Sequence, residues 1–257
     1  MLKMAQKTDS LTFKRKTDNS EIKQQNRIST RVIVGHIDAD GPRPDRSLKV
    51  TVVGDSGTGK TCLLKAFANN KFPEEEISCQ SLFENSKGTI RVGSGGTFEV
   101  PVSMVTSDEC LEFGLTDTIG TENYRSLREV FAAKTDIFLV CFSVTDPQTL
   151  ENVKTNWLAE IRLLTPGAPF ILVGTKTDLR EDDVFVSSLK ARNEEPVTML
   201  KGIKLARRLG ALEYAECSAV DMIGIKELFL TVALVTKPQT SKKGDKRKGD
   251  MNSCTVS

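Results

Sequence analysis

The sequence predicts an α/β fold in which a mostly parallel sheet is covered by helices on both faces. Two observations carry this prediction. Short apolar runs alternate with amphipathic helical stretches, and two runs, Leu139–Phe142 and Phe170–Val173, are apolar on both faces, as strands buried inside a parallel sheet are. Alternating strand–helix units join parallel strands through right-handed crossovers. The 257 residues are enough for one such domain, with several dozen residues left over.

The expected elements begin at Leu48. Five strands are predicted at Leu48–Val53, Leu111–Thr116, Ile137–Ser143, Pro169–Gly174 and Glu213–Cys217. Four helices are predicted at Lys60–Asn69, Leu150–Leu164, Met199–Leu209 and Ile223–Val235. The apolar positions of the second helix share one face, which assigns Trp157 to the core. Two more strands, near Thr89–Val92 and Thr97–Val105, flank a glycine-rich hairpin turn, and one of them would enter the sheet as a sixth, antiparallel edge strand.

Charge divides the chain into three parts. Residues 1–46 carry ten Lys and Arg against six Asp and Glu, and residues 237–257 carry six against two. The part between them is therefore mildly acidic, although the whole chain has a net charge of +2. We expect 1–46 to be a largely disordered extension, 47–236 to be the folded domain, and 237–257 to be a basic tail that meets an anionic surface. Within the extension, Arg31–Ile37 fits either an extra edge strand or a linker segment.

Composition excludes several classes of protein. The near balance of charge over the whole chain argues against a nucleic-acid-binding protein. No apolar run approaches the roughly 18 residues of a transmembrane helix, and the N-terminus lacks the apolar stretch of a secretory signal. The six cysteines contain no C-x-x-C pair, which favours reduced thiols. His36 is the only histidine, so a Ser-His-Asp triad is not expected.

A glycine-rich segment between the first predicted strand and the first predicted helix indicates a phosphate site. Gly54–Thr61 fits G-x-x-x-x-G-K-[ST], the pattern of a loop whose backbone N–H groups surround phosphates. Lys60 would reach the β- and γ-phosphates, and the Thr61 hydroxyl would be a ligand of Mg²⁺. The residues assigned to nucleotide binding in this segment are Gly54, Ser56, Gly57, Thr58, Gly59, Lys60, Thr61 and Cys62.

Two short motifs at later strand ends indicate that the nucleotide carries guanine. Thr175–Asp178 follows a buried strand at the carboxyl edge of the sheet, where ligands bind in open α/β folds. Asp178 would accept from both the N1 and the exocyclic amine of guanine, a pair that adenine lacks, and the Lys176 stem would lie over the base. Glu216–Ala219 ends the next strand, where a backbone N–H would meet the guanine O6. The residues assigned to the base site are Thr175, Lys176, Asp178, Leu179, Ser218 and Ala219.

The segment Asp117–Gly120 fits D-x-x-G and predicts a sensor of the γ-phosphate. Asp117 would hold Mg²⁺ through water. The Gly120 N–H would bond to the γ-phosphate, which is present in GTP and absent in GDP, so the segment has two states. The predicted cofactors are therefore GTP or GDP together with Mg²⁺.

From about Leu48 to Val235, these motifs and their flanks resemble the Rho family of Ras-like small GTPases. The most Rho-like stretches are Phe72–Glu75, Leu82–Asn85, Thr135–Ser143, Glu151–Lys154 and Leu172–Thr175. The resemblance implies the P-loop NTPase (Ras-like) fold, effector proteins that bind through two nucleotide-sensitive loops, switch I and switch II, and exchange factors. It also implies that Phe72 packs on the guanine edge and that residues 181–196 contain the Rho insert helix.

The last residues predict a lipid anchor. Cys254–Ser257 has the C-a-a-X form of a prenylation site, and the terminal Ser favours farnesyl. Five Lys and Arg residues lie within 242–248, and a polybasic patch is the second signal that a single lipid chain needs for stable anchoring. We expect attachment to the cytoplasmic face of membranes, chiefly the plasma membrane, with a cytosolic pool.

Several positions depart from the family pattern where GTP is cleaved. Thr121 stands where the family has a water-orienting Gln, Ile119 where it has a small Ala, and Ser56 where it has a Gly that leaves room for an arginine finger. Thr121 and Ser56 are therefore the catalytic positions, and both predict weak hydrolysis. In switch I, Glu76–Leu82, Ser81 takes the place of the Thr that binds Mg²⁺, and the usual Tyr is missing.

Three hypotheses about function follow from the sequence. The first is a membrane-attached Rho-type signalling protein with cytoskeletal effectors that, like the Rnd-like members of that family, binds GTP and hydrolyses it poorly. The second is a normally cycling GTPase in which another group replaces the missing Gln. The third is a nucleotide-free scaffold that keeps only the fold, and the intact Lys60, Asp117 and Asp178 argue against it.

Overall fold

The structure, a computed structural model, describes residues 33–35, 43–73, 91–92, 98–106, 109–118, 120 and 125–238. The described strands are β1 (Ile33–Gly35), β2 (Arg46–Val53), β3 (Arg91–Val92), β4 (Phe98–Val105), β5 (Cys110–Asp117), β6 (Ile137–Ser143), β7 (Phe170–Thr175) and β8 (Glu213–Cys217). The described α-helices are α1 (Lys60–Asn69), α2 (Arg125–Ala132), α3 (Pro147–Asn152), α4 (Leu158–Leu164), α5 (Asp183–Lys190), α6 (Met199–Leu209) and α7 (Ile225–Val235). A π turn, Val153–Trp157, joins α3 to α4, and a 3₁₀ turn, Thr177–Glu181, precedes α5.

These strands form one sheet in the order β1-β4-β5-β2-β6-β7-β8, and β3 pairs with the end of β4 that β1 does not cover. β5, β2, β6, β7 and β8 run parallel, and β4 is antiparallel to β5. The six strands β4, β5, β2, β6, β7 and β8 confirm the predicted six-stranded, mostly parallel sheet with one antiparallel strand, and the short strands β1 and β3 extend it beyond β4. The segment for which the sequence left two interpretations contains β1, which pairs antiparallel with β4 and extends the sheet as an edge strand.

Two apolar layers hold the helices against the sheet. On one face, α1 and α7 pack through Phe67 and Phe229, whose rings stack at 3.6 Å between centroids with Phe113 of β5 edge-on to both. On the other face, α3, α4 and α6 cover β6 and β7, all of whose residues are buried. Both faces of the sheet are covered by helices. The loops that follow the carboxyl ends of the parallel strands lie together at one end of the sheet, which is where ligands bind in folds of this kind.

The predicted helix Leu150–Leu164 differs from the structure at its start and in its middle. α3 begins at Pro147, because the Asp146 carboxylate accepts from the Gln148 N–H as an N-cap and Pro suits the first turn. The π turn then interrupts the helix before α4. A further difference is α2, which is not among the helices predicted from the sequence.

Two kinds of feature do not occur in the part of the chain that the structure describes. None of its helices combines the length and the apolar character that crossing a membrane requires. Those same residues contain no group of three or more His, Cys, Asp or Glu side chains arranged around a common point.

Candidate functional site

The loop between β2 and α1, residues 54–59, turns on three glycines. Gly54, Gly57 and Gly59 have φ values of 145°, 77° and 90°. A Cβ on Gly54 would lie 2.3 Å from the Cys141 carbonyl oxygen, so only glycine lets the chain leave β2 this close to β6. Among the described residues no side chain caps α1 at Gly59, which is the arrangement of helix N-termini that receive phosphate groups.

The side chain of Lys60 turns back over this loop. It is buried, and its Nζ donates to the carbonyl oxygens of Gly54 and Asp55, each at 2.8 Å. Carbonyl groups orient the ammonium without cancelling its charge, so the loop still attracts an anion. The geometry thus places a fixed positive charge in the middle of the predicted phosphate site.

Asp117, at the carboxyl end of β5, forms a buried polar pair with Thr61. Thr61 Oγ1 donates to Asp117 Oδ2 at 2.5 Å, while Oδ1 is buried and has no hydrogen-bond partner among the described residues. Burial raises the pKa of Asp117, although the Thr61 hydrogen bond and the Lys60 charge oppose this. A buried carboxylate oxygen without a partner, beside a hydroxyl group, suits a hard cation that keeps some of its water. Thr61 and Asp117 therefore fit the predicted Mg²⁺ site.

Gly120, the last residue of the D-x-x-G segment, lies against the phosphate loop. A Cβ on Gly120 would be 2.5 Å from both the Gly54 carbonyl oxygen and the Ser56 backbone nitrogen. Only glycine fits there, so the predicted sensor touches the loop that it would monitor. Ser56 itself is exposed, as is its neighbour Gly57.

The last residue of β7 and the one after it meet the other side of the phosphate loop. Thr175 is buried, and its Oγ1 lies 2.5 and 2.8 Å from the carbonyl oxygens of Thr58 and Phe142, which share its single proton. The side chain of Lys176 extends over Gly59, since a Cβ on that glycine would lie 3.8 Å from Lys176 Cε. The phosphate loop and the predicted base site are therefore directly joined.

Asp178 and Ser218 connect the segments that follow β7 and β8. Ser218 Oγ donates to Asp178 Oδ1 at 2.7 Å and accepts from the Asp221 N–H at 3.0 Å. Ser218 is buried and Asp178 is half-buried. The hydroxyl thus fixes the orientation of the carboxylate that is predicted to recognise the base.

An ion pair that was not predicted from the sequence links the Thr177–Glu181 turn to β8. Arg180 donates from Nη1 and Nη2 to the two carboxylate oxygens of Glu216 at 2.9 and 2.6 Å, and Tyr214 donates its hydroxyl to Glu216 at 2.6 Å. Burial, together with this hydrogen bond, raises the pKa of Tyr214. Gly202 of α6 leaves room for the phenol, because a Cβ there would lie 2.3 Å from the Tyr214 oxygen. The pair holds the Thr177–Glu181 turn beside β8.

A second missed feature is the fixation of Asp55, a position that the phosphate-loop pattern leaves variable. Its carboxylate accepts from Trp157 Nε1 at 2.7 Å and from Asn152 Nδ2 at 2.6 Å. Trp157 is buried, as predicted, but its N–H faces the site. The sequence held two signals for this contact, an Asp in the loop and polar donors in the predicted helix Leu150–Leu164. Because Asn152 and Trp157 are five residues apart, they do not share a face of a regular α-helix, so their spacing does not indicate a common partner.

The other predicted nucleotide-binding residues have weaker links to the site. The Thr58 side chain is fully buried and donates to the Asp55 carbonyl, so only its backbone is available to a ligand. Cys62 is half-buried, and burial raises the pKa of its thiol. Ala219 packs against the core beneath α7, and Leu179 lies half-buried in the 3₁₀ turn.

For five predicted positions the structure describes no contact with the site. Phe72 follows the end of α1 and is half-buried. Ser81, Thr121 and Cys254 lie outside the described residues, as does Ile119. Their roles therefore rest on the sequence.

A comparison with protein families agrees with this geometry. A family model described as the Ras family matches residues 49–237. The match includes the phosphate loop, the D-x-x-G segment and both base-side segments, and it ends just after α7.

Proposed function

Because this chain belongs to the Ras family of small GTP-binding signalling proteins, we propose that it is a Rho-type switch that holds GTP with Mg²⁺ and hydrolyses it poorly. The observation that most strongly supports binding of GTP with Mg²⁺ is the convergence of Lys60, Asp117 and Asp178 at one end of the sheet. Lys60 and Asp178 follow β2 and β7, and Asp117 is the last residue of β5, so the three groups come from three different strands. Each has the chemistry for a different part of the ligand: phosphate, cation and base.

Binding would proceed through groups that the fold already holds in place. Lys60 would exchange its contacts with loop carbonyls for contacts with phosphate oxygens, and Asp178, oriented by Ser218, would accept from guanine. Asp117 and Thr61 would hold Mg²⁺, which neutralises charge on the phosphates when it is bound. Gly120 would report the γ-phosphate to the segment that follows it, which corresponds to switch II in the family and through which effectors would bind.

Poor hydrolysis is supported by two departures from the family pattern, Ser56 in the phosphate loop and Thr121 after the D-x-x-G segment. Ser56 exposes a side chain at the loop position where an arginine finger must approach. Thr121 is too short to bridge the attacking water and the γ-phosphate as a Gln does. The groups that bind nucleotide are intact, so nucleotide exchange, amount and location would control the protein more than turnover would.

The decisive experiment is to identify the nucleotide that copurifies with the full chain and to time the loss of its γ-phosphate. We expect GTP, lost at or below roughly 10⁻⁴ s⁻¹, which is under the intrinsic rate of Ras. Faster loss, or strong acceleration by a Rho-type activating protein, would support a normally cycling GTPase instead. Protein that contains no guanine nucleotide and cannot be loaded with it would support a scaffold.

Replacing Thr121 and Ser56 by the residues usual in the family should restore hydrolysis. In Thr121→Gln combined with Ser56→Gly, we expect the single-turnover rate to rise at least about tenfold, because one well-placed donor contributes 10²- to 10³-fold in comparable sites. The measurement is release of labelled phosphate from loaded protein. The matched control is Thr121→Leu combined with Ser56→Gly, which has similar bulk without the amide and should stay slow. Equal rates in both would indicate that Ile119 or switch I limits turnover.

Membrane attachment is proposed to depend on Cys254 and on the basic residues before it. Cys254→Ser should move the protein from the membrane fraction to the cytosolic fraction of cells, and it should remove the mass of an isoprenoid from the intact protein. Ser253→Ala, at the neighbouring position, should leave both unchanged. Unaltered membrane association of Cys254→Ser would contradict the proposal.

A further inference from the structure

We propose that the carboxylate of Asp55 is a positioning group for the phosphate loop, held in place by Asn152 and by the indole of Trp157. The inference rests on the proposed binding of guanine nucleotide, and it adds residues that lie outside the recognised motifs. The two carboxylate oxygens each have their own donor, Trp157 Nε1 at 2.7 Å and Asn152 Nδ2 at 2.6 Å. Hydrogen bonds to a charged acceptor are the stronger kind, and here both come from a single helical segment.

A small rotation of the Asp55 backbone would disturb most of the contacts within the phosphate site. Its backbone carbonyl accepts from Lys60 Nζ and from Thr58 Oγ1, both at 2.8 Å. A Cβ on Gly120 would lie 2.6 Å from the Asp55 carbonyl carbon, so the sensor glycine rests on the same peptide group. Holding the carboxylate therefore holds the acceptor of the Lys60 ammonium and the surface that Gly120 touches.

The π turn explains how one helix supplies both donors. Asn152 and Trp157 are five residues apart, which in an α-helix would place them about 140° apart around the axis. In the structure the Leu158 N–H bonds to the Val153 carbonyl, and this widened turn lets both side chains reach Asp55. Such π turns occur frequently at functional sites.

Trp157 also connects this carboxylate to α2, the helix that follows the sensor segment. The Arg128 guanidinium carbon lies 5.1 Å from the centroid of the Trp157 ring, and Arg128 donates to both carboxylate oxygens of Glu160 at 2.6 and 2.9 Å. The indole thus contacts α2 through its face and the phosphate loop through its N–H. A displacement of α2 would change the surroundings of the ring and the anchoring of Asp55 together.

The test measures release of a fluorescent GDP analogue from the full chain in the presence of Mg²⁺ and excess GDP. Trp157→Phe and Asn152→Ala should each release the analogue about tenfold faster than the unmodified protein, because each removes one charge-assisted hydrogen bond. Asn156→Ala, at an exposed residue of the same π turn, should release it at the unmodified rate. Asp55→Asn should also be fast, and adding Trp157→Phe to it should have little further effect, since both act through one contact.

A second readout separates positioning from general stability. Trp157 is the only tryptophan in the chain, so its emission should change when GDP is replaced by a non-hydrolysable GTP analogue, and Asp55→Asn should abolish that change. The inference would be overturned if Trp157→Phe and Asn152→Ala released the GDP analogue at the rate of the unmodified protein. The inference would also be overturned if the variants lowered the melting temperature equally with and without GDP, and the effects of Asp55→Asn and Trp157→Phe on release were additive in the double variant. A chain that binds no guanine nucleotide at all would overturn the proposed function as well.

Discussion

Lys60→Ala should weaken GDP binding at least about 100-fold, because phosphates lose two or more charge-assisted hydrogen bonds of about 1.5–3 kcal/mol each. The ammonium is the positive charge that the Gly54 and Asp55 carbonyls hold inside the loop, and α1 supplies only partial charges in its place. Isothermal titration calorimetry with GDP and Mg²⁺ on nucleotide-free protein gives the affinity directly.

Two further variants make this result specific. Lys60 is buried, so Lys60→Met, which keeps most of the side-chain volume, should lose affinity to the same extent without a cavity. Lys71→Ala removes an exposed lysine just beyond α1 and should bind GDP like the unmodified protein. Affinity retained in both Lys60 variants would mean that the loop is not the phosphate site.

Asp178→Ala should remove the preference for guanine. The variant loses an acceptor for two donors of the base, so GTP affinity should fall at least about 100-fold while the weak affinity for ATP stays nearly constant. Competition of GTP and ATP against a labelled nucleotide measures both affinities in one titration.

A graded series tests the orientation of this carboxylate. Ser218→Ala removes the hydroxyl that donates to Asp178 Oδ1 but leaves the carboxylate, and we expect a smaller loss of GTP affinity, about tenfold. Asp183→Ala, which changes an exposed carboxylate in the first turn of α5, should leave the selectivity intact. A clear preference for GTP over ATP in Asp178→Ala would contradict the assignment.

Elements with one dominant period could be predicted from the sequence. The bounds of β6, β8, α1 and α6 agree with the structure, because an apolar run or an amphipathic face ends there at a charged residue, a glycine or a change of period. The phosphate loop and the base-side motifs could be placed as well, since glycine, lysine and aspartate have few other reasons to occur at those spacings.

Contacts that depend on a change of period or on topology could not be predicted. A helical stripe at 3.6 residues per turn assigns Trp157 to the core and cannot show that a π turn brings its N–H and Asn152 to the same carboxylate. The Arg180–Glu216 pair spans 36 residues and depends on the order of β7 and β8 in the sheet. The assignments of Ser81 and Thr121 remain predictions from the sequence.

The strand β1 changes which backbone groups the edge of the sheet presents to other molecules. An uncovered edge strand presents backbone N–H and C=O groups that act as a template for strands of neighbouring chains. By pairing with Ser103–Val105, residues of the N-terminal extension occupy part of that template on β4. β1 is now the edge strand itself, but with three residues it presents a shorter template than uncovered β4 would. A ligand protein that docks by adding its own strand to this part of β4 must first displace β1.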